Sequence, residues 1–212
     1  MTSQQQRTAD VMTLAAQERA ELVDFLQTLT PQQWEAASLC QGWTVRDVVA
    51  HVISYDELSW WATVKRLARG RFALGKANDA GVAQYSHRPQ ELIALLRAHP
   101  RPSGLPAAFG GMIALVDGMI HQQDIRRPLD APRDIPHDRL RTTLRLALLA
   151  PPLRAFQRAR GLTLVATDLD WSHGTGPQVR GTGEALLMAI AGRAHPINEL
   201  SGPGKSLLAK RI

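Results

Sequence analysis

Through the first 160 residues apolar positions recur every three or four places, a period that makes this part of the chain helical. Over residues 8–29, Val11, Leu14, Leu22, Leu26 and Leu29 mark one face. Thr30, Pro31 and Gln33 then supply an N-cap, a first-turn proline and a capping-box glutamine, so a short helix starts there, and Gly42-Trp43 ends it. A second capping-box-like start at Thr44–Asp47 opens a long helix expected to reach about Gly70. The next helix is expected over 90–99, with an irregular lead-in from Asn78, and Pro100, Pro102 and Pro106 mark the connection behind it. Residues 107–126 form a further helix, halted before Pro128. Another spans 137–149, and Pro151-Pro152 kinks or ends it before a helical segment to Arg160.

After Gly161 the pattern changes. Residues 162–167 alternate as a strand, 170–177 are turn-rich, and Gln178–Arg180 is expected to return antiparallel. Short apolar helices follow at 184–191 and 205–211. The expectation is a mainly α fold: a helical bundle over 1–160 and a small α/β domain over 161–212, too short to hold a core of its own.

Composition narrows this little. With 44% apolar and 21% charged residues in a chain of 212, a globular protein with a real core is expected. No apolar run approaches the ~18 residues of a membrane span. The polar start, Met1 to Arg7, does not read as a signal peptide, and the single cysteine, Cys40, excludes an internal disulfide. A cytoplasmic location is the expectation. The net charge of +6 sits in residues 126–160, which carry nine arginines and three aspartates. Arg139, Arg141, Arg145, Arg154 and Arg158 read as the wet face of a helix whose apolar side is Leu140, Leu144 and Leu148. No aromatic residue interleaves with them, so nucleic acid is not the expected partner.

The chemistry concentrates at Asp117 and His121, four residues apart and so on one helix face that also carries Ile113 and Ile120. His51 lies in an equally apolar run. Each could be a satisfied core group, and Asp117 and His121 could simply bond one another. Taken together, two imidazoles and a carboxylate facing a bundle interior would make a three-ligand metal site with open positions. Asp124, a turn further on, could orient a ligand histidine or pair with nearby arginines. His87, His99, His137, His173 and His195 read as surface groups, Gly174-Thr175-Gly176 as a turn, and Cys40 as a small packed residue at a helix end.

The run Cys40-Gln41-Gly42-Trp43-Thr44-Val45-Arg46-Asp47-Val48, ending at His51, resembles the first signature of the mycothiol-dependent maleylpyruvate isomerase family of DinB-like bundles. His121-Gln122-Gln123-Asp124 resembles its second, and Trp171-Ser172, Val179-Arg180-Gly181 and Gly192-Arg193 resemble its small C-terminal domain. The resemblance implies a DinB-like four-helix bundle holding a divalent metal, zinc being the expected ion, through His51, Asp117 and His121. Asp117 stands where the family pattern has glutamate. The implied cofactor is mycothiol, the actinobacterial thiol. Arg193 matches the family's functional C-terminal arginine, with catalytic and cofactor-binding roles, and Asp124 is placed on the cofactor side. The implied activity is isomerisation of, or sulfur transfer to, a small electrophilic substrate; the alternative is a non-catalytic or regulatory metal-binding bundle.

Overall fold

A computed structural model describes residues 10–56, 58–69, 74–85 and 88–212. The polar segment 1–7, Gly70 and His87 lie outside the described residues. The fold is mainly helical with one small sheet, as the periodicity requires, and divides into two compact units. One runs to Ala36 and resumes over Trp43–Gly118; the other joins Ala37–Gly42 to Met119–Ile212.

The first unit holds α1 (Val11–Leu26), α2 (Pro31–Trp34), α3 (Val45–Ile53), α4 (Trp60–Arg69), α5 (Leu74–Gln84), α6 (Pro89–Ala98) and the start of α7 (Ala108–Arg126). Local chemistry sets the starts. Asp10 caps α1 by accepting from the Thr13 N–H, and both capping boxes form, Thr30 with Gln33 on α2 and Thr44 with Asp47 on α3. Leu14, Leu22 and Leu26 of α1, Ile53 of α3 and Leu92 and Leu96 of α6 are buried together with Leu115 of α7. At the head of α7, Phe109, Gly110 and Gly111 have left-handed backbone angles, and regular helix begins at Met112. Gly111 allows this: a Cβ there would meet the Met12 Cα at 2.9 Å.

Two expectations for this unit are corrected. The long helix from Thr44 stops at Ile53 and restarts at Trp60. The cause is a tertiary contact between them: Asp56, fully buried, takes two hydrogen bonds from Arg19 at 2.8 and 2.9 Å and a third from the Ser103 N–H at 2.9 Å. Arg66 of α4 reaches back to the Ser54 carbonyl at 2.8 Å, which holds the break closed. The irregular lead-in from Asn78 is instead helix, α5, whose Ala77 and Val82 are buried.

The second unit holds the rest of α7, then α8 (His137–Leu149), α9 (Ala155–Ala159), β1 (Thr163–Ala166), β2 (Ser172–Gly174), β3 (Gln178–Gly181), α10 (Gly183–Ile190) and α11 (Lys205–Ala209). Strand order is β2-β1-β3. Strand β2 pairs antiparallel with β1, but β3 pairs parallel to it, correcting the expected antiparallel return. Residues 175–177 cross the start of β1 from one edge to the other, so β3 sets off beside Thr163 in the direction of β1. Gly176 makes the crossing possible, since a Cβ on it would sit 2.3 Å from the Gly161 carbonyl oxygen. The outer side of β3 is bridged at Arg180 by Ser201. Every residue of α10 from Ala185 to Ile190 is buried, and α8, α9 and the sheet pack on it. The solvated face expected of α8 is also corrected at one position: Arg139 is buried in the stripe it shares with Leu140, Thr143 and Leu144.

Among the described residues no helix is long and apolar enough to cross a membrane.

Candidate functional site

In the first unit, α3 carries His51 on a helix whose neighbours are almost all buried, and the imidazole itself is only 7% exposed. Its Nε2 lies 3.7 Å from Oδ2 of Asp117 on α7. The Trp43 ring lies 5.2 Å from the imidazole centroid and the Tyr55 ring meets it edge-on at 6.2 Å. Tyr55 is buried, and its hydroxyl donates to Oδ1 of Asn78 at 2.9 Å. Burial raises the Tyr55 pKa; the Arg66 guanidinium over its ring opposes this, and the Asp117 charge adds to it. The phenol is therefore a proton-bearing group at neutral pH. Asp117 is partly exposed, at 41% of its side chain, so one carboxylate oxygen can face a ligand while the other faces His51.

In the second unit a tighter cluster forms. His121, Asp124 and Arg193 meet, and Cys40 joins them. Asp124, fully buried on α7, is the hub. Its Oδ2 accepts from His121 Nδ1 at 2.9 Å, from the Cys40 thiol at 3.1 Å and from Arg193 Nη2 at 2.6 Å, while Oδ1 accepts from Arg193 Nε at 2.9 Å. The Cys40 sulfur also lies 3.5 Å from His121 Nδ1 and 3.9 Å from Arg193 Nη2. The Leu39 N–H donates to the Asp124 carbonyl at 3.0 Å, fastening the Cys40 segment to α7. Arg193, just beyond the end of α10, is held from behind by its own Nη1 bond to the Ala191 carbonyl at 3.0 Å.

The electrostatics follow from that hub. Burial works to raise the Asp124 carboxyl pKa, but the hydrogen bonds and charges of His121 and Arg193 outweigh it and hold the group far below the usual carboxylate range. Burial works to lower Arg193, and the Asp124 carboxylate overcomes it and raises that pKa. An ionised carboxylate can only accept, so His121 carries a proton on Nδ1 and turns Nε2 away from Asp124.

A stability prediction comes with this. A carboxylate whose folded pKa is depressed stabilises the fold above its unfolded value of ~3.9 and loses that contribution as pH falls toward the folded value. Metal-free Asp124→Asn should therefore unfold at lower denaturant than the parent chain at pH 7, and the gap should close as pH falls below about 5. Urea midpoints at pH 7, 5 and 3 measure it; a gap that ignores pH would contradict the assignment.

Of the residues singled out in the sequence, His51 and Asp117 come together in one unit, and His121, Asp124 and Arg193 in the other. Asp117 and His121 stand one turn apart on the regular part of α7. His137, His173 and His195 are exposed, as expected, whereas His99 is half-buried, its carbonyl accepting from the buried Arg19. Cys40, read from the sequence as a small packed residue at a helix end, is instead a member of this polar cluster. Its partners lie 81 to 153 positions away along the chain, and no local pattern announces them.

Compared with known proteins, residues 15–102 match the mycothiol maleylpyruvate isomerase N-terminal domain. Among solved structures, the chain is similar to a histidine-to-alanine mutant of the mycothiol-dependent maleylpyruvate isomerase, at 17% identity, with 92% of each chain covered and a TM-score of 0.61. It is similar also to that isomerase without the mutation, at the same identity and coverage and a TM-score of 0.55. No curated protein matches it.

Proposed function

We propose that this chain is a metal-dependent enzyme using mycothiol on a small electrophilic substrate, because residues 15–102 match the mycothiol maleylpyruvate isomerase N-terminal domain and the chain shares that isomerase's fold. The ligands we assign are His51, Asp117 and His121. Two imidazoles and a carboxylate suit zinc, and equally iron(II), nickel or manganese. The observation that carries the reading is the shared carboxylate: Asp124 binds the Nδ1 proton of His121 and the guanidinium of Arg193 at once. Carboxylate-bound imidazoles are the usual form of metal-binding histidines, with the tautomer set and the basicity of the other nitrogen raised.

The chemistry needs a thiolate. A free alkyl thiol has a pKa of ~8.5 and is mostly protonated at neutral pH. A divalent cation at these ligands supplies the charge that keeps a thiol ionised. The chain's own groups do the rest. Arg193 still has N–H groups on its terminal nitrogens beyond those given to Asp124 and Ala191, and its rigid fork suits a carboxylate on substrate or cofactor. Isomerisation is addition of sulfur to an unsaturated carbon, rotation about the bond that has become single, and expulsion of the same sulfur. Transfer ends with the sulfur in place. Asp124 is a positioning residue in either course, since its oxygens are taken up by protein donors and it aligns imidazole and guanidinium together.

The test is spectroscopic. Cobalt(II)-loaded protein should change its visible spectrum when mycothiol is added, and mycothiol-dependent conversion of maleylpyruvate should follow. Arg193→Ala should keep its cobalt and lose turnover by about 100-fold or more, the scale of losing a preorganised charge at a reacting centre. A spectrum indifferent to mycothiol would overturn the thiol reading in favour of a non-catalytic metal-binding bundle.

A further inference from the structure

We propose that the corner between α8 and α9 is a docking surface for an anionic phospholipid bilayer, a reading that goes beyond the metal and thiol chemistry and does not rest on it. Helix α8 ends at Leu149, the chain turns through the single-turn helix Pro151–Leu153, and α9 starts at Ala155. Leu149, Pro151, Pro152 and Phe156 are all exposed, four apolar side chains within eight consecutive positions. Leu149 is 69% exposed and Phe156 59%, high values for large apolar side chains. Single exposed apolar residues are ordinary on a globular protein, but a cluster at one turn marks a contact surface.

The surroundings are basic. From Arg139 to Thr167 the chain has six arginines and no acidic residue. Arg139 is buried, and Arg158 is spent on backbone carbonyls, those of Leu153 and of Ile190, the latter at 3.1 Å. Arg145, one turn before Leu149 on α8, is exposed, as are Arg154 and Arg160 at the two ends of α9 and Lys210 at the end of α11. Lys210 is brought to this corner because Arg211 beside it donates to the Arg158 and Arg160 carbonyls, at 2.6 Å each. Among the described residues none of these four cations meets a carboxylate, and Arg154 Nε donates to a neutral partner, Gln157 Oε1, at 2.8 Å. Arg154 also takes left-handed backbone angles, φ 55° and ψ 20°, where glycine would sit without strain. A cation is held there against the preference of its own backbone, and strain kept at one residue points to a use for its side chain.

Two properties of the corner favour lipid over a protein partner. Its backbone is already satisfied: Pro151 and Pro152 have no N–H, the Leu153 N–H donates to the Ala150 carbonyl and the Arg154 N–H to the Pro151 carbonyl, both at 3.1 Å. The Ala150 N–H is likewise taken, by the Ala147 carbonyl at 3.2 Å. Such a turn can enter the apolar edge of a bilayer without stranding donors. It offers a protein few of the hydrogen bonds that an interface carries, about one per 100–200 Å². The second property is the pairing of apolar side chains with unpaired cations. The first enter the acyl boundary while the second meet headgroup phosphates.

The experiment is cosedimentation of the full chain with vesicles of mixed phosphatidylglycerol and phosphatidylcholine, and with vesicles of phosphatidylcholine alone. The parent chain should bind the mixed vesicles, leave them as salt rises, and ignore phosphatidylcholine. A basic chain can adsorb on an anionic surface by charge alone, so the decisive variant keeps every charge. Leu149→Ser with Phe156→Ser should bind about tenfold more weakly, the scale of losing one buried apolar side chain. Both side chains are exposed, so the fold is kept. Arg154→Gly, which relieves the left-handed residue, should melt no lower than the parent and bind about fivefold more weakly, the effect of one cation at such a surface. Overturning results are no binding to the mixed vesicles, or either variant binding as tightly as the parent. A dimer of the parent chain in sedimentation that the double serine variant lacks would also overturn it, assigning the corner to a second copy of this chain. Vesicle binding and cobalt spectra with mycothiol are separate readouts, so each reading can fail alone.

Discussion

Replacing His121 with alanine should empty the proposed metal centre. Loss of a group that merely orients a ligand costs ~10–100-fold in metal affinity, and loss of a ligand itself should exceed that. Metal content of purified protein, measured by mass spectrometry against protein concentration, should fall from near one equivalent to below about a tenth, on that scale. The fold should survive, because Asp124 keeps Arg193 and Cys40 as partners when His121 is gone. His173→Ala is the matched control: that imidazole is exposed and stacks on Trp171 at 6.3 Å, away from the cluster. Equal metal in the two variants would remove His121 from the ligand set.

The largest loss of stability should come from Asp56→Ala. Arg19 and Asp56 form a two-pronged pair at 2.8 and 2.9 Å, with their side chains 6% and 0% exposed. Arg19 also donates to the His99 carbonyl at 2.9 Å, and the Ser103 hydroxyl donates to the Asp56 carbonyl at 2.7 Å. Removing the carboxylate leaves a buried guanidinium without its counter-charge, which costs ~3–5 kcal/mol. For a chain of this length each kcal/mol moves the melting temperature by roughly 2–4 °C, so a drop of about 10 °C is expected in a circular-dichroism melt. The double variant Arg19→Met with Asp56→Leu should recover much of that loss, because the desolvation cost of both charges disappears with them. A double variant as unstable as the single one would show that the pair contributes beyond its own burial, through the α3–α4 break it holds.

What could be read in the sequence was whatever the local chain determines. The Thr30–Gln33 and Thr44–Asp47 boxes set the starts of α2 and α3, since each is a contact between residues three apart. Asp117 and His121 were legible for the same reason, one helical turn being a local ruler. The misses are all long-range. The break after Ile53 depends on Arg19, 37 positions before Asp56. Helix α5 contains Gly75, Asn78 and Gly81, weak helix formers, and Gly81 lies close against Ser54, where a Cβ would be 2.8 Å from the hydroxyl oxygen. Packing rather than propensity decides it. The direction of β3 depends on which edge of β1 the chain reaches, and Arg139 is drawn inward by the stripe around it. Cys40 joins the Asp124 hub only because the chain brings positions 121, 124 and 193 back to it.

The margins of the small sheet carry a consequence for the protein's behaviour in concentrated solution. Beyond β3 the backbone is already bridged at Arg180, and on the far side β2 offers only the three residues from Ser172 to Gly174. An intruding strand would find too short a template to add itself by main-chain bonding. Self-association through cross-β growth is starved at its first step, without any charged gatekeeper being spent on it.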